Sequence, residues 1–162
     1  MADQPSDSSL FSPPARVSDG AYFPDLKSYT DLYAQSVKDP ETFWDGQARQ
    51  NIDWFHDYTQ VQDCDFENGM MAWFLGGKLN VSHNCIDRHL HTQGNKIAIL
   101  WEGDEPGDVR EITYRELHRE VCKLANVLRH NGIRKGDRVA IYMPMIPEAA
   151  FAMLACTRIG AV

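Results

Sequence analysis

Lys135-Gly136-Asp137-Arg138-Val139-Ala140-Ile141-Tyr142-Met143-Pro144-Met145-Ile146-Pro147-Glu148 decides how this chain is read. A tight Gly136-Asp137 turn feeds residues 138–143, an apolar run of the kind found in a strand covered on both faces. Pro147-Glu148 then opens a helix, with proline at the first helical position and an acid at the positive end. Along that helix Ala149, Ala152, Met153, Cys156 and Ile159 are available for packing. A strand followed by a crossover helix calls for a second, parallel strand beside the first. The sequence reaches Val162 where that strand is due. The expectation is the front part of a larger α/β protein, truncated, with a helical preface ahead of its first strands and helices.

Upstream lies the clearest helix of the chain. Thr113-Tyr114-Arg115-Glu116 is a capping box, and Leu117, Val121, Leu124 and Leu128 follow on one stripe. Gly132 stops it. Residues 97–101 and 109–112 read as antiparallel strands joined by Glu102-Gly103-Asp104-Glu105-Pro106-Gly107-Asp108, a polar turn stretch. Residues 82–92 read as one helix, with Gly94 near its end in the left-handed position. Met71-Ala72-Trp73-Phe74-Leu75 and Lys78-Leu79-Asn80-Val81 flank Gly76-Gly77, which suggests a hairpin turning at the glycine pair.

Residues 51–69 read as an irregular aromatic loop, with Trp54, Phe55, Tyr58 and Phe66 wrapped over a body. Two helices precede it. Asp25 caps the first, which carries Leu26, Tyr29, Leu32, Tyr33 and Val37. Asp39-Pro40-Glu41 restarts the second, with Phe43 and Trp44 as its buried anchors. Residues 1–20, rich in Ser, Pro, Asp and Gly, read as a disordered tail.

Of the 162 residues, 43% are hydrophobic and 24% charged, ordinary for a globular protein. The net charge of −7, with no basic run, argues against nucleic acid or an anionic membrane surface as partner. No apolar run is long enough to span a bilayer. The acidic N-terminus is unlike a secretory signal or an Arg-rich transit peptide, which makes the cytoplasm the default compartment. Cys64, Cys85, Cys122 and Cys156 lie far apart and read as buried free thiols in a reducing environment.

Few residues suggest chemistry. His83, Asp87, His89 and His91 cluster, and His83 and Asp87 would share a helical face as metal ligands do. The favoured reading is structural, with Asp87 on a neighbouring backbone or Arg88 bonding a carbonyl. Gly76-Gly77 lacks the residues of a phosphate loop. Met143-Pro144-Met145-Ile146-Pro147 sits where α/β folds bind ligands, but the favoured reading is a rigid strand-to-helix connection. Glu148 is explained by the helix dipole alone, and Asp104, Glu105 and Asp108 by a solvated turn.

Asn80, Asn84-Cys85-Ile86-Asp87-Arg88-His89, Ile99-Leu100-Trp101-Glu102-Gly103, Ile112-Thr113-Tyr114 and the 135–148 segment together resemble the N-terminal part of AMP-forming acetyl-CoA synthetases. Tyr33 through Trp44 is similar to the lead-in of acetyl- and propionyl-CoA synthetases. The resemblance covers residues 22–162. It implies a cap over 21–82 and the start of the AMP-dependent synthetase/ligase domain over 83–162. It implies an acetate–CoA ligase that uses ATP, CoA and Mg2+, with propionate as the alternative acid. The family's phosphate loop, acyl pocket, CoA-binding arginines, metal ligands and catalytic lysine all correspond to positions beyond Val162. No catalytic, cofactor-binding or metal residue is therefore carried onto this chain. Taken alone it is expected to be inactive and to bind none of these ligands well. The resemblance leaves nucleus or mitochondrion open beside the cytoplasm. A non-catalytic short form that self-associates through an open sheet edge is the alternative from a different class.

Overall fold

The computed structural model describes residues 13–162, and the first twelve positions of the expected tail lie outside it. The chain divides into two compact units, the first ending at Ala48 and the second running from Arg49 to Val162. Among the described residues no helix is long and apolar enough to cross a membrane.

The first unit is helical. One turn, α1 (Ala15–Ser18), forms inside the stretch read as a tail. α2 (Leu26–Lys38) starts where Asp25 accepts a hydrogen bond from the Ser28 N–H at 2.7 Å. α3 (Pro40–Asn51) restarts the chain, with the Asp39 carboxylate taking the Thr42 N–H at 3.1 Å. Both starts were legible because capping is local. The burial was not. α2 buries none of its residues, and Trp44 is 44% exposed with Phe43 half-buried. The rings pack mainly on each other, Phe43 edge-on to Trp44 and Phe23 edge-on to Tyr29.

In the second unit, part of the expected loop over 51–69 is a strand. β1 (Gln60–Asp65) pairs antiparallel with β2 (Met70–Leu75). The hairpin therefore turns at Phe66-Glu67-Asn68-Gly69 and not at Gly76-Gly77. Asp65 fixes that turn by accepting from both the backbone N–H and the amide of Asn68, and Gly69 takes a φ of 70°. Asn-Gly is the stronger hairpin signal, since both positions tolerate positive φ. Gly77 has a different duty: a Cβ there would lie 2.6 Å from the Trp54 ring. Trp54, Tyr58 and Phe74 form one aromatic cluster with Tyr58 buried, and the Arg49 guanidinium lies 4.8 Å from the centre of the Tyr58 ring. Phe55 and Phe66 remain exposed.

The single helix expected over 82–92 is broken into α4 (Val81–Cys85), a 3₁₀ turn (Asp87–His89) and α5 (Leu90–Gln93). The break falls at Ile86, whose backbone leaves helical geometry and whose side chain is wholly buried. Gly94 is right-handed, contrary to expectation. Glycine is needed there because a Cβ would crowd Leu90 O and the Arg115 guanidinium.

β3 (Ile97–Glu102) and β4 (Val109–Thr113) pair antiparallel around the expected turn. α6 (Tyr114–His130) opens on the complete capping box: the Glu116 N–H donates to the Thr113 hydroxyl while the Glu116 carboxylate accepts from the Thr113 N–H. Thr113→Ala is expected to cost about 1 kcal/mol of stability in urea denaturation, the usual value of a lost N-cap. α7 (Pro147–Ile159) starts at the expected proline and ends on left-handed Gly160. The core joins Ile86, Ile112, Leu117, Val121, Ala125, Phe151 and Ala155, with Leu124 and Leu128 packed against it. On α7 Ala152 and Cys156 are buried and Ile159 packs against this core, as expected; Phe151 and Ala155 enter it as well, while Met153 is 55% exposed.

The expected strand over 138–143 does not form as part of a sheet. Its only ladder-like bonds are at its start, where the Val139 N–H donates to Val162 O and the Val162 N–H to Asp137 O, each at 2.8 Å. One residue bracketed by both bonds of its partner is the alternation of a parallel pair. Beyond that point Ile141, Tyr142, Met143 and Met145 are exposed. A strand is stable only with neighbours along its edges and over its faces. Among the described residues this one has neither along most of its length, so its apolar composition is left facing water.

Candidate functional site

The densest polar constellation lies where α4, the 3₁₀ turn, α6 and α7 meet. Asp87 sits on the 3₁₀ turn because the chain breaks at Ile86. Arg158 reaches it from the last turn of α7, donating from both guanidinium nitrogens to both carboxylate oxygens at 2.7 Å. Arg158 also reaches the buried Ser82 hydroxyl at 3.3 Å. His118 Nε2, from α6, lies 3.4 Å from Asp87 Oδ1 and 3.5 Å from Cys122 Sγ. Partial burial pushes the Asp87 carboxyl upward. It is outweighed by the two hydrogen bonds and the charge of Arg158, with His118 and His83 adding, so the carboxyl ends below its ordinary value. The same hydrogen bonds hold Arg158 above its own.

Two asparagines extend this hub. Asn80 Oδ1 caps α4 by accepting from the His83 N–H, while its amide donates to the carbonyls of Thr157 and Arg158 at the end of α7. One side chain thus satisfies orphan groups at two helix ends. Asn84 pairs with the backbone of Asp53 in both directions. Arg88 donates to Asn51 O at 2.7 Å, the carbonyl bond that the sequence suggested. Asp87, by contrast, pairs with a distant arginine and not with a neighbouring backbone.

No metal centre arises from the histidines. His83 faces Asp53 and the Phe55 ring, and His89 packs on Tyr114. Both Asp87 oxygens are occupied by Arg158. Among the described residues no three or more His, Cys, Asp or Glu converge as ligands, so these residues do not fit a bound cation. All four cysteines are free, but only Cys156 is buried. Cys85 is exposed, and Cys64 and Cys122 are intermediate.

The 143–147 connection is held by protein contacts. Trp101 Nε1 donates to Met145 O at 2.7 Å, and the buried Pro147 seats the start of α7. Glu148 does more than complement the dipole: it accepts from Arg110 at 2.9 Å, and that bond leads the lowering of its carboxyl. Asp104, Glu105 and Asp108 are exposed in the β3–β4 turn, as expected. Sequence reasoning missed Arg158. A single arginine within the largely apolar PEAAFAMLACTRI was the available signal, since a charge on a packed helix needs a partner.

The model of the acetyl-coenzyme A synthetase N-terminus matches residues 29–85, and that of AMP-binding enzymes matches 86–162. The chain is 61% identical over 136 residues to acetyl-coenzyme A synthetase 2 of Pseudomonas putida, covering 84% of this chain and 21% of that protein. It is 56% identical over 149 residues to acetyl-coenzyme A synthetase 2 of Pseudomonas aeruginosa, covering 92% of this chain and 23% of that protein. The acetoacetyl-CoA synthetase of Streptomyces lividans superposes with a TM-score of 0.75 at 34% identity, covering 83% of this chain and 20% of that one. The chain thus spans about a fifth of the length of the relatives it matches. It belongs to the acetyl-coenzyme A synthetase family of AMP-binding enzymes, and it corresponds to the family's N-terminal portion.

Proposed function

We propose that this chain is the scaffold portion of an acetate–CoA ligase. The reaction joins acetate to ATP as acetyl-AMP with release of pyrophosphate, then passes the acetyl group to the CoA thiol. ATP, CoA and Mg2+ serve that chemistry in the family, and we assign none of their contacts to residues of this chain. Residues 21–82 act as the cap and 83–162 as the opening of the ligase domain. The observation that supports this reading is the 61% identity to a protein named acetyl-coenzyme A synthetase 2. The structure adds a reason for a supporting role. The residues that carry the resemblance, from Asn80 to Arg88, are spent on capping, pairing and packing. Membership without a membrane-spanning helix among the described residues is compatible with a cytoplasmic enzyme.

The test is acetate-dependent ATP–pyrophosphate exchange on two proteins. The 162-residue chain alone is expected to give none. The same chain substituted for the matching segment of the Pseudomonas putida relative is expected to support exchange. A folded but inactive chimera would count against the reading.

A second reading is favoured by the exposed Ile141, Tyr142, Met143 and Met145. Unpaired strand-forming segments pair with other chains. The isolated chain is expected to self-associate in sedimentation velocity, and Ile141→Lys with Met143→Lys is expected to return it to monomer. A monomeric parent chain at high concentration rejects this reading.

A further inference from the structure

We propose that the cavity between the C-terminal ends of α6 and α7 is a binding site for a multivalent phosphate-bearing anion. The cavity measures about 540 Å³ and is lined by Cys122, Asn126, Arg129, Arg134, Lys135 and Arg158 among others. None of its lining residues is acidic, in a chain whose net charge is −7. Arg158 is already neutralised by Asp87. Among the described residues Arg129, Arg134 and Lys135 are in no ion pair, which leaves three cations without an acidic partner around one concavity.

The helix ends do not explain this pattern. A cation in the last turn of a helix complements its negative end, which accounts for Arg129 on α6 and Arg158 on α7. Arg134 and Lys135 lie past that end, in the loop after Gly132. The carbonyls they would otherwise complement are already occupied: Val127 O, Leu128 O and Arg129 O accept from Asn131, Ile133 and Gly132. Asp137, the nearest acid in the loop, is turned onto the Arg134 N–H at 2.6 Å.

The loop is also held in place. The Gly136 N–H donates to Gly160 O at 2.8 Å, and the Lys135 stem lies where a Cβ on Gly160 would meet it at 3.0 Å. An ammonium on a seated stem, with two guanidiniums lining the same cavity, suits an anion with several oxygens spread over two phosphoryl groups. Guanidinium groups bind such oxygens through paired N–H donors, and ammonium adds a point charge. Asn126 supplies a neutral donor at the same mouth. Another polar cavity of the unit, about 370 Å³, contrasts with this one. It is lined by acids and bases together, including the Arg110–Glu148 and Arg119–Glu120 pairs.

Inorganic pyrophosphate is the probe. Calorimetric titration of the 162-residue chain is expected to show saturable binding that sodium chloride at equal ionic strength does not reproduce. Arg134→Ser combined with Lys135→Ser is expected to weaken it about tenfold or more, the scale of two lost charge-assisted contacts. Lys96→Ser, a charge removed outside the cavity lining, is expected to leave it unchanged. Cys122 gives a second readout. Pyrophosphate is expected to slow its alkylation while leaving that of exposed Cys85 unaltered, and a folded double variant is expected to lose this protection. Titration heats matched by chloride overturn the proposal. So does equal weakening in Lys96→Ser, or equal protection of Cys122 and Cys85.

Discussion

Ile86→Ala is expected to destabilise the second unit by about 3 kcal/mol, the range for deleting a fully buried aliphatic side chain and leaving a cavity. Ile86 is 0% exposed and belongs to the same cluster as Val121 of α6 and Phe151 and Ala155 of α7. Its position follows from the break in the helical run: had residues 82–92 stayed one helix, Ile86 and Asp87 would project along that helix's own faces. Removing the side chain therefore empties the core and frees the break. Urea denaturation followed by tryptophan fluorescence measures the loss, and Ile86→Val is expected to cost about 1 kcal/mol. A loss below 1 kcal/mol for Ile86→Ala would show that the core does not depend on this residue.

Arg158→Met is expected to cost about 2–3 kcal/mol, because it leaves the Asp87 carboxylate partly buried without its two charged donors. The side chains of the pair are 24% and 21% exposed, so neither screening nor full desolvation dominates. The effect has a pH signature. The folded-state pKa of Asp87 is depressed below the ordinary 3.8. Its contribution is then fully present above 3.8 and lost as pH falls from there through the lower folded value. Asp87→Asn keeps the shape and removes the charge. The stability gap between parent and Asp87→Asn is expected to be constant near neutrality and to close below pH 3.8. A gap that persists unchanged in acid would assign the loss to packing.

What the sequence disclosed is what local chemistry controls. Asp25, Asp39-Pro40 and the Thr113–Glu116 box each start a helix through hydrogen bonds spanning three residues. β3 and β4 were readable because a polar Gly/Pro turn separates two short apolar runs. The hairpin turn expected at Gly76-Gly77 lies instead at Asn68-Gly69, and Gly77 serves the Trp54 ring. The exposure of 138–143 was not legible either, since burial depends on neighbours that composition does not specify. The hub was partly legible. Arg88 was expected on a carbonyl, but Asp87 finds Arg158 across 71 residues, and Asn80 reaches Thr157 across 77. Such links are set by packing of α7 against α4, which no periodicity announces.

We infer that the Asn80–Asp87–Arg158 hub supports the fold and takes no part in chemistry. It is tested by introducing Asp87→Asn into the Pseudomonas putida chimera and measuring acetate-dependent ATP–pyrophosphate exchange against temperature. An unchanged rate is expected at low temperature, where the protein is folded, with loss of activity several degrees earlier on warming. Abolition of exchange at every temperature, with the fold intact by circular dichroism, would contradict it.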